Sequence, residues 1–473
     1  MTTPAFAPEG CRIGGLTSTT IAMVGRTDSE GANLYLDIYN DKDRLKLVTS
    51  SSAALLTSDN NYQATAYVSG LTPNRQYWWR ARADDGAGNS LNGSENTWSA
   101  GVFTTLSESA THYKICVLSD RPWGMSRNNA TYVSMFRQVC ANLGNLGLTA
   151  IFLRGDVYYS DIGTEADNGY YDVTSWYVPV LDADATIEKY RSNFITTQSL
   201  INESKKLHAN IPTFYMWDDH DRCKNDCGGR EEATGDLATR WNNARQAGHE
   251  AYMGLNKPLI DAEAGRTWTH NVSEDSYYYI DIPPVRWIVT DNRSFRSLKT
   301  DTDSTSKTML GATQKAWLKN LILNNDQDFL VILSPIMFDG YHGWNESTND
   351  GWVSYSYERD EIIDYIQTYG KPEQTIIASG DTHIGCVATY RGASSTNSEI
   401  YEITAGHNWA VSGHDVVNGW KAGATGNGGE PKFFLKNKMC TAFFEVFSNR
   451  LVVSIITTED SKIVWSREFK VSA

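Results

Sequence analysis

The period of the hydrophobic pattern changes near residue 108 of this 473-residue chain. Before that point, apolar and polar residues alternate in short runs. Residues 33–39, 62–68 and 76–82 place apolar side chains at every second position, which predicts half-buried antiparallel strands. Gly70-Leu71-Thr72-Pro73-Asn74 has the composition of a turn leading into the last of them. Residues 104–108 read as an exit linker. Beyond it, Tyr132, Val133, Phe136, Val139, Cys140 and Leu143 recur at the spacing of one helix face, with Asn128 or Asn129 placed to cap its start. That helix falls between two apolar runs, 113–120 and 148–156, and strand, helix and strand in this order imply a parallel β-α-β unit. Further helices are expected over 185–200, 236–253, 312–323 and 357–368. Residues 441–448, 450–457 and 462–470 alternate again and predict an antiparallel meander closing one side of a two-sheet α/β sandwich.

Composition narrows the function. A hydrophobic content of 41% supports a sizeable core and excludes a disordered chain, and the length admits two domains. A net charge of −14 argues against broad docking on nucleic acid or anionic membrane, which needs a basic footprint. It leaves anionic phosphate substrates open, because bound cations set the sign of the local field. No window approaches the roughly 20 apolar residues of a membrane span.

The candidate chemistry lies where apolar runs end. Ile211-Pro212-Thr213-Phe214-Tyr215-Met216 is followed by Trp217-Asp218-Asp219-His220-Asp221 and then by Asn225-Asp226. Carboxylates so crowded repel one another, so a bound cation is expected there; a solvated acidic turn is the alternative. The same grammar recurs at Ser119-Asp120, at Gly155-Asp156 with Tyr158, Tyr159 and Asp161 close behind, at Asp291 with Arg293, and at Gly380-Asp381 before Thr382-His383. One such ending is ordinary turn chemistry. Five point to a multi-metal site on one sheet edge. The chain carries no serine nucleophile elbow and no phosphate-binding glycine loop, which suits a reaction run by metal-held water.

These motifs resemble the PhoD-type alkaline phosphatases and phosphodiesterases of the calcineurin-like metallophosphoesterase superfamily, from about Tyr113 to the C-terminus. Leu310-Gly311 with Gln314 and Trp317-Leu318 fits the resemblance, as does Asp350-Gly351-Trp352 with Tyr355 and Glu358-Arg359. The chain departs from many relatives in its first motif, where Ser119-Asp120-Arg121 stands in place of a Cys-containing sequence. The resemblance implies a two-sheet α/β metallophosphoesterase core over 109–473. In front of it, 1–108 resembles a small all-β immunoglobulin or fibronectin III-like sandwich.

It also implies an activity: hydrolysis of small phosphate mono- or diesters by a metal-activated hydroxide. A phospholipase or wall-polymer phosphodiesterase, and a non-catalytic surface-binding protein on a degenerate phosphatase fold, are the alternatives. Asp156 is expected to bridge two cations. The first would take Asp120, Asp156, Tyr159 and His383; a phenolate ligand implies ferric iron, and the Gly-Asp-X-X-Tyr spacing is shared with purple acid phosphatases. The second would take Asp156, Asp219, Asp381 and Asn225, an oxygen-only set that favours calcium, with manganese, magnesium or zinc as alternatives. His220 is expected to act as general acid or to orient a neighbour. Arg293 is expected to grip phosphate or to pair with Asp291. Trp123 and Trp352, in loops between motifs, are candidates for substrate stacking; singly, packing is the alternative. Cys223 and Cys227 bracket the site loop, either as a disulfide or as two thiols. The first residues lack the features of a secretory leader, so either the protein stays inside the cell or a leader has been removed.

Overall fold

The computed structural model describes residues 10–26, 31–57, 63–91, 99–119, 130–156, 202–222, 228, 277–338, 350–381, 385–394, 396–406, 429–435 and 438–471. The expected helices at 185–200 and 236–253 lie outside these residues, as do Cys223 and Cys227.

The N-terminal part is all β. Its strands are β1 (Arg12–Gly14), β2 (Ile21–Arg26), β3 (Asn33–Tyr39), β4 (Leu47–Ser50), β5 (Ala54–Leu55), β6 (Gln63–Val68), β7 (Gln76–Asp84) and β8 (Ala100–Thr104). They form two antiparallel sheets, β1-β2-β6 and β4-β3-β7-β8, with β5 also on β3. The alternation of β7 works as its sequence predicts: Tyr77, Trp79 and Ala81 turn into the core, while Trp78, Arg80 and Arg82 face outward half-buried.

The rest builds two sheets packed face to face. β9 (Tyr113–Leu118), the helix Ala130–Gly144 and β10 (Ala150–Arg154) form the expected parallel unit, extended by β11 (Thr213–Met216). β12 (Tyr278–Ile282), β13 (Val285–Val289), β14 (Phe329–Ile336), β15 (Thr375–Gly380), β16 (Gly385–Tyr390), β17 (Ile400–Ala405) and β18 (Glu430–Leu435) make the second sheet, in the order β12-β13-β14-β15-β17-β16-β18. The C-terminal meander, β19 (Cys440–Val446), β20 (Arg450–Thr457) and β21 (Ile463–Lys470), joins the first sheet on β9, giving β11-β10-β9-β19-β20-β21.

Aromatic side chains fill the seam between the sheets. Phe152 stacks on Phe214 at 4.9 Å and, across the seam, on Trp287 at 5.2 Å, which meets Phe444 edge-on. Helices cover both outer faces. Val139, Cys140, Leu143 and Leu207 pack on the first sheet; Leu318, Ile322, Ile362 and Ile366, from the helices Gly311–Leu323 and Ser356–Tyr369, pack on the second. This is the two-sheet α/β sandwich that the sequence predicts.

The N-terminal sheets are welded to this core. Buried Trp79 donates its indole N–H to the carbonyl of Ala209 at 3.0 Å, at the end of the helix Asn202–Asn210. Gly101 on β8 is needed for that approach, since a Cβ there would lie 2.0 Å from the same oxygen. Gly101→Ala is therefore expected to lower stability by about 1–3 kcal/mol, the usual cost of overpacking, read as an earlier urea midpoint. An unchanged midpoint would mean that β8 and the helix part without penalty.

Candidate metal centre

Strands of both sheets deliver the site. Asp156 follows β10, Asp218 and Asp219 follow β11, Asp291 follows β13 and Asp381 follows β15. The sequence reading placed these endings on one sheet edge; the structure draws them from the facing edges of two. Asp156 and Asp381 hold positive φ angles of 52° and 71°, a conformation that non-glycine residues adopt only where the surroundings impose it. Gly155, at φ 79°, lies so close to the next strand ending that a Cβ would come 2.5 Å from the Cβ of Asp218. Glycine alone allows the two loops to touch.

The side chains converge accordingly. Asp156, Asp219 and His220 bring one ligand atom each within 4.8 Å of one another, and so do Asp156, Asp218, Asp219 and Asp381. The two sets share Asp156 and Asp219. All but the half-buried Asp381 are buried. The short helical turn Asp219–Arg222 is fixed locally: Asp218 N–H donates to Asp221 Oδ2 at 3.0 Å, and His220 N–H to Asp219 Oδ1 at 3.0 Å.

Arg293 threads this cluster and is itself fully buried. It pairs with Asp218 and with Asp350, and its Nη2 stands 3.3 Å from Asp219 and 3.8 Å from Asp381. Arg296 grips the other oxygen of Asp350 at 2.6 Å. Asp291 is not the ion-pair partner of the Arg293 side chain. Its carboxylate instead accepts the backbone N–H groups of Arg293 and Ser294, both at 2.9 Å, and shapes the loop. Gln314 clamps the backbone of Asp291 with two hydrogen bonds of 2.8 Å, and Glu358 accepts the N–H of Leu310 at 3.0 Å. The motif residues at 310–314 and 358 thus hold the loop that carries Arg293.

Charge suits the cluster to a cation. Five carboxylates (Asp156, Asp218, Asp219, Asp350, Asp381) face two guanidinium groups. Burial pushes the Asp218 carboxyl up to about 8; Arg293 opposes this, and the charges of Asp219 and Asp350 add to it. Burial likewise raises Asp381 far above the ordinary carboxylate range, with Asp218 and Asp219 reinforcing it. Burial works to raise Asp350 too, yet Arg293 and Arg296 hold it down to about 2. Arg293 keeps its charge despite burial, because the surrounding carboxylates raise it well above its usual value. Carboxyls that hold protons for want of counter-charge release them when a cation binds. The donor set, carboxylate oxygens with one imidazole, fits hard divalent or trivalent ions.

Asp156, Asp219, His220, Arg293 and Asp381 therefore come together. Asp120, Tyr159, Asn225, His383 and Trp123 lie outside the described residues. Trp352 is a correction. Its ring, offered to substrate by its place in a loop, is 1% exposed, stacks on Phe338 at 4.5 Å and donates to Ser334 Oγ at 3.3 Å. It is core. Asp218 and Asp350 both appear in the motifs, but sequence reasoning gave neither a role; nothing local shows that a single guanidinium joins them.

A family model described as PhoD-like phosphatase matches residues 123–408. No curated protein matches the chain. Among solved structures, one of PhoD is similar over 100% of this chain and 94% of its own, with a TM-score of 0.74 at 14% identity. A purple acid phosphatase, PPD1, from yellow lupin (Lupinus luteus) seeds is similar over 98% of this chain and 74% of its own, with a TM-score of 0.63 at 12% identity. At these identities the likeness is one of fold. The family match spans more than half of the chain, and this protein accordingly belongs to the PhoD-like phosphatase family.

Proposed function

We propose that the protein hydrolyses small phosphate mono- or diesters at a site of two or more cations that share Asp156. The convergence of Asp156, Asp218, Asp219, His220 and Asp381 in one cluster, with Arg293 beside it, carries this reading. The described donors, carboxylates with one imidazole, suit hard cations; in this reading Asp156, Asp219 and Asp381, with Asn225, would hold calcium, and Asp120, Asp156, Tyr159 and His383 would hold ferric iron. When bound, such cations supply Lewis acidity to the phosphoryl oxygens and lower the pKa of the attacking water.

The chain's own groups do the rest. Arg293, held by Asp218 and Asp350, presents Nη2 toward the cluster, where phosphate oxygens would arrive. His220 stands within the ligand cluster, so its imidazole can take a cation or give a proton to the leaving oxygen. Burial of Asp156, Asp218 and Asp219 strengthens the charge interactions inside the cluster. Residues 1–108 serve in this reading as a β-sandwich module fixed to the catalytic core of 109–473.

The test joins metal analysis to colour. Iron-replete protein is expected to show a visible phenolate-to-iron absorption and to cleave a chromogenic phosphate mono- or diester. Tyr159→Phe keeps the ring and removes the oxygen, so it should bleach and lose most activity. A colourless, iron-free and fully active wild type would remove the iron assignment and leave the hydrolase. A metal-loaded protein that cleaves neither ester class would defeat the reading as a whole.

A further inference from the structure

Arg154 breaks the pattern of its strand. It closes the apolar run Ala150-Ile151-Phe152-Leu153 on β10, yet it is wholly buried, a place where arginine is rare. Its Nη2 donates to Ser119 Oγ at 3.1 Å and to the carbonyl of Ala405 at 2.7 Å, and Ser119 Oγ donates to that carbonyl at 3.2 Å. Gly380 lies flat against the same group. A Cβ at Gly380 would fall 2.9 Å from Nη2, 3.0 Å from Nε and 2.7 Å from Ser119 Oγ. One guanidinium thus touches the ends of β9, β15 and β17 while sitting on β10.

The positions it touches are the ones that carry the ligands. Ser119 precedes Asp120, Arg154 precedes Gly155-Asp156, and Gly380 precedes Asp381. β9 and β10 belong to one sheet, β15 and β17 to the other. We infer that Arg154 is a positioning residue that sets the gap between the two sheets at the floor of the cation site. The inference rests on the metal reading above. The planar, rigid guanidinium holds Nη2, which makes the bonds to both Ser119 and Ala405, at a fixed place between the strand ends, as a single ammonium on a flexible stem does not. An apolar side chain would pack there at lower desolvation cost, so stability alone gives no reason for arginine. A ligand cluster drawn from two sheets does, because an error of a few tenths of an ångström at its base separates Asp156 from Asp381.

Calcium titration of chelator-stripped protein, followed by calorimetry at a temperature where every variant is folded, tests this without using turnover. Arg154→Met should weaken calcium binding by about 10–100-fold, the usual effect of losing a group that orients a ligand, without lowering the melting temperature of the stripped protein. Arg154→Lys should lie between. Gly380→Ala keeps the arginine but displaces it and should weaken binding in the same direction; Ser119→Ala, which crowds nothing, should do so to a smaller extent. These last two carry the test if Arg154→Met fails to fold. Affinities within twofold of wild type across the folded variants would overturn the inference, as would a loss of melting temperature with binding unchanged. A wild type that binds no calcium, manganese or iron would instead defeat the metal reading beneath it.

Discussion

Asp156→Ala is expected to abolish both cation binding and hydrolysis. Asp156 lies in the buried cluster with Asp218, Asp219 and His220, and on the proposed reading it would be the ligand shared with the cation of Asp120, Tyr159 and His383. Removing a shared carboxylate would take one anionic ligand from both cations at once, and with the cations lost the remaining carboxylates repel one another. Each 1.36 kcal/mol is tenfold in rate, and bound cations contribute several, so kcat/KM should fall by at least about 10³-fold. Elemental analysis of purified protein beside a chromogenic assay checks both halves. Near-normal activity would sink the dinuclear model. Asp219→Ala and Asp381→Ala should lose mainly the second cation; an equal loss of iron in those variants would show the two sites to be wrongly divided.

Arg293→Lys should impair turnover on the order of 10²-fold although charge is kept. The guanidinium spans Asp218 and Asp350 while turning Nη2 toward Asp219 and Asp381, and one ammonium cannot make these contacts together. The loop itself should survive. It is held through backbone groups, by Asp291 on the N–H groups of Arg293 and Ser294 and by Gln314 on the backbone of Asp291. A loss concentrated in KM would mark ground-state phosphate binding, and a loss in kcat would mark a grip made in the transition state. Kinetic constants equal to wild type, in a protein of unchanged melting temperature, would reduce Arg293 to a brace for its loop.

The sequence made the edges of the site legible and left its interior hidden. Strands ending in Asp announce themselves, because an apolar run stopped by a carboxylate is a local pattern; β10, β11, β13 and β15 were found that way. β14 was not. Phe329–Ile336 is buried at every position and ends in Ser-Pro-Ile, and a continuous apolar run carries no period to mark it as strand. The buried charges were equally opaque. Glu402 looks like an exposed residue of β17, yet it accepts the N–H of Phe338 at 2.7 Å and the hydroxyl of Ser379 at 2.5 Å inside the second sheet. Asp350 finds Arg293 across 57 positions of chain, a pairing that only folding creates. Trp352 shows the reverse error, since aromatic residues in loops look the same in sequence whether they line a rim or fill a core.

The contact between Trp79, Gly101 and Ala209 has a thermodynamic consequence. Ala209 lies near the end of the helix that runs through Ile211 and Pro212 into β11, and β11 ends at Asp218 and Asp219. The N-terminal sheets also share one continuous apolar cluster with the seam between the two large sheets. Among the described residues this apolar cluster is continuous, so free energy gained at one end is expected to be felt at the other. A cation bound at the carboxylates stabilises the folded state by RT ln(1 + [L]/Kd), and that increment extends to strands that never approach the ion. The Gly101 substitution, which meets Ala209 and Trp79 and no candidate ligand, would on this account be partly rescued by loading the site. The N-terminal sheets would then share one folding equilibrium with any cation bound at the carboxylates.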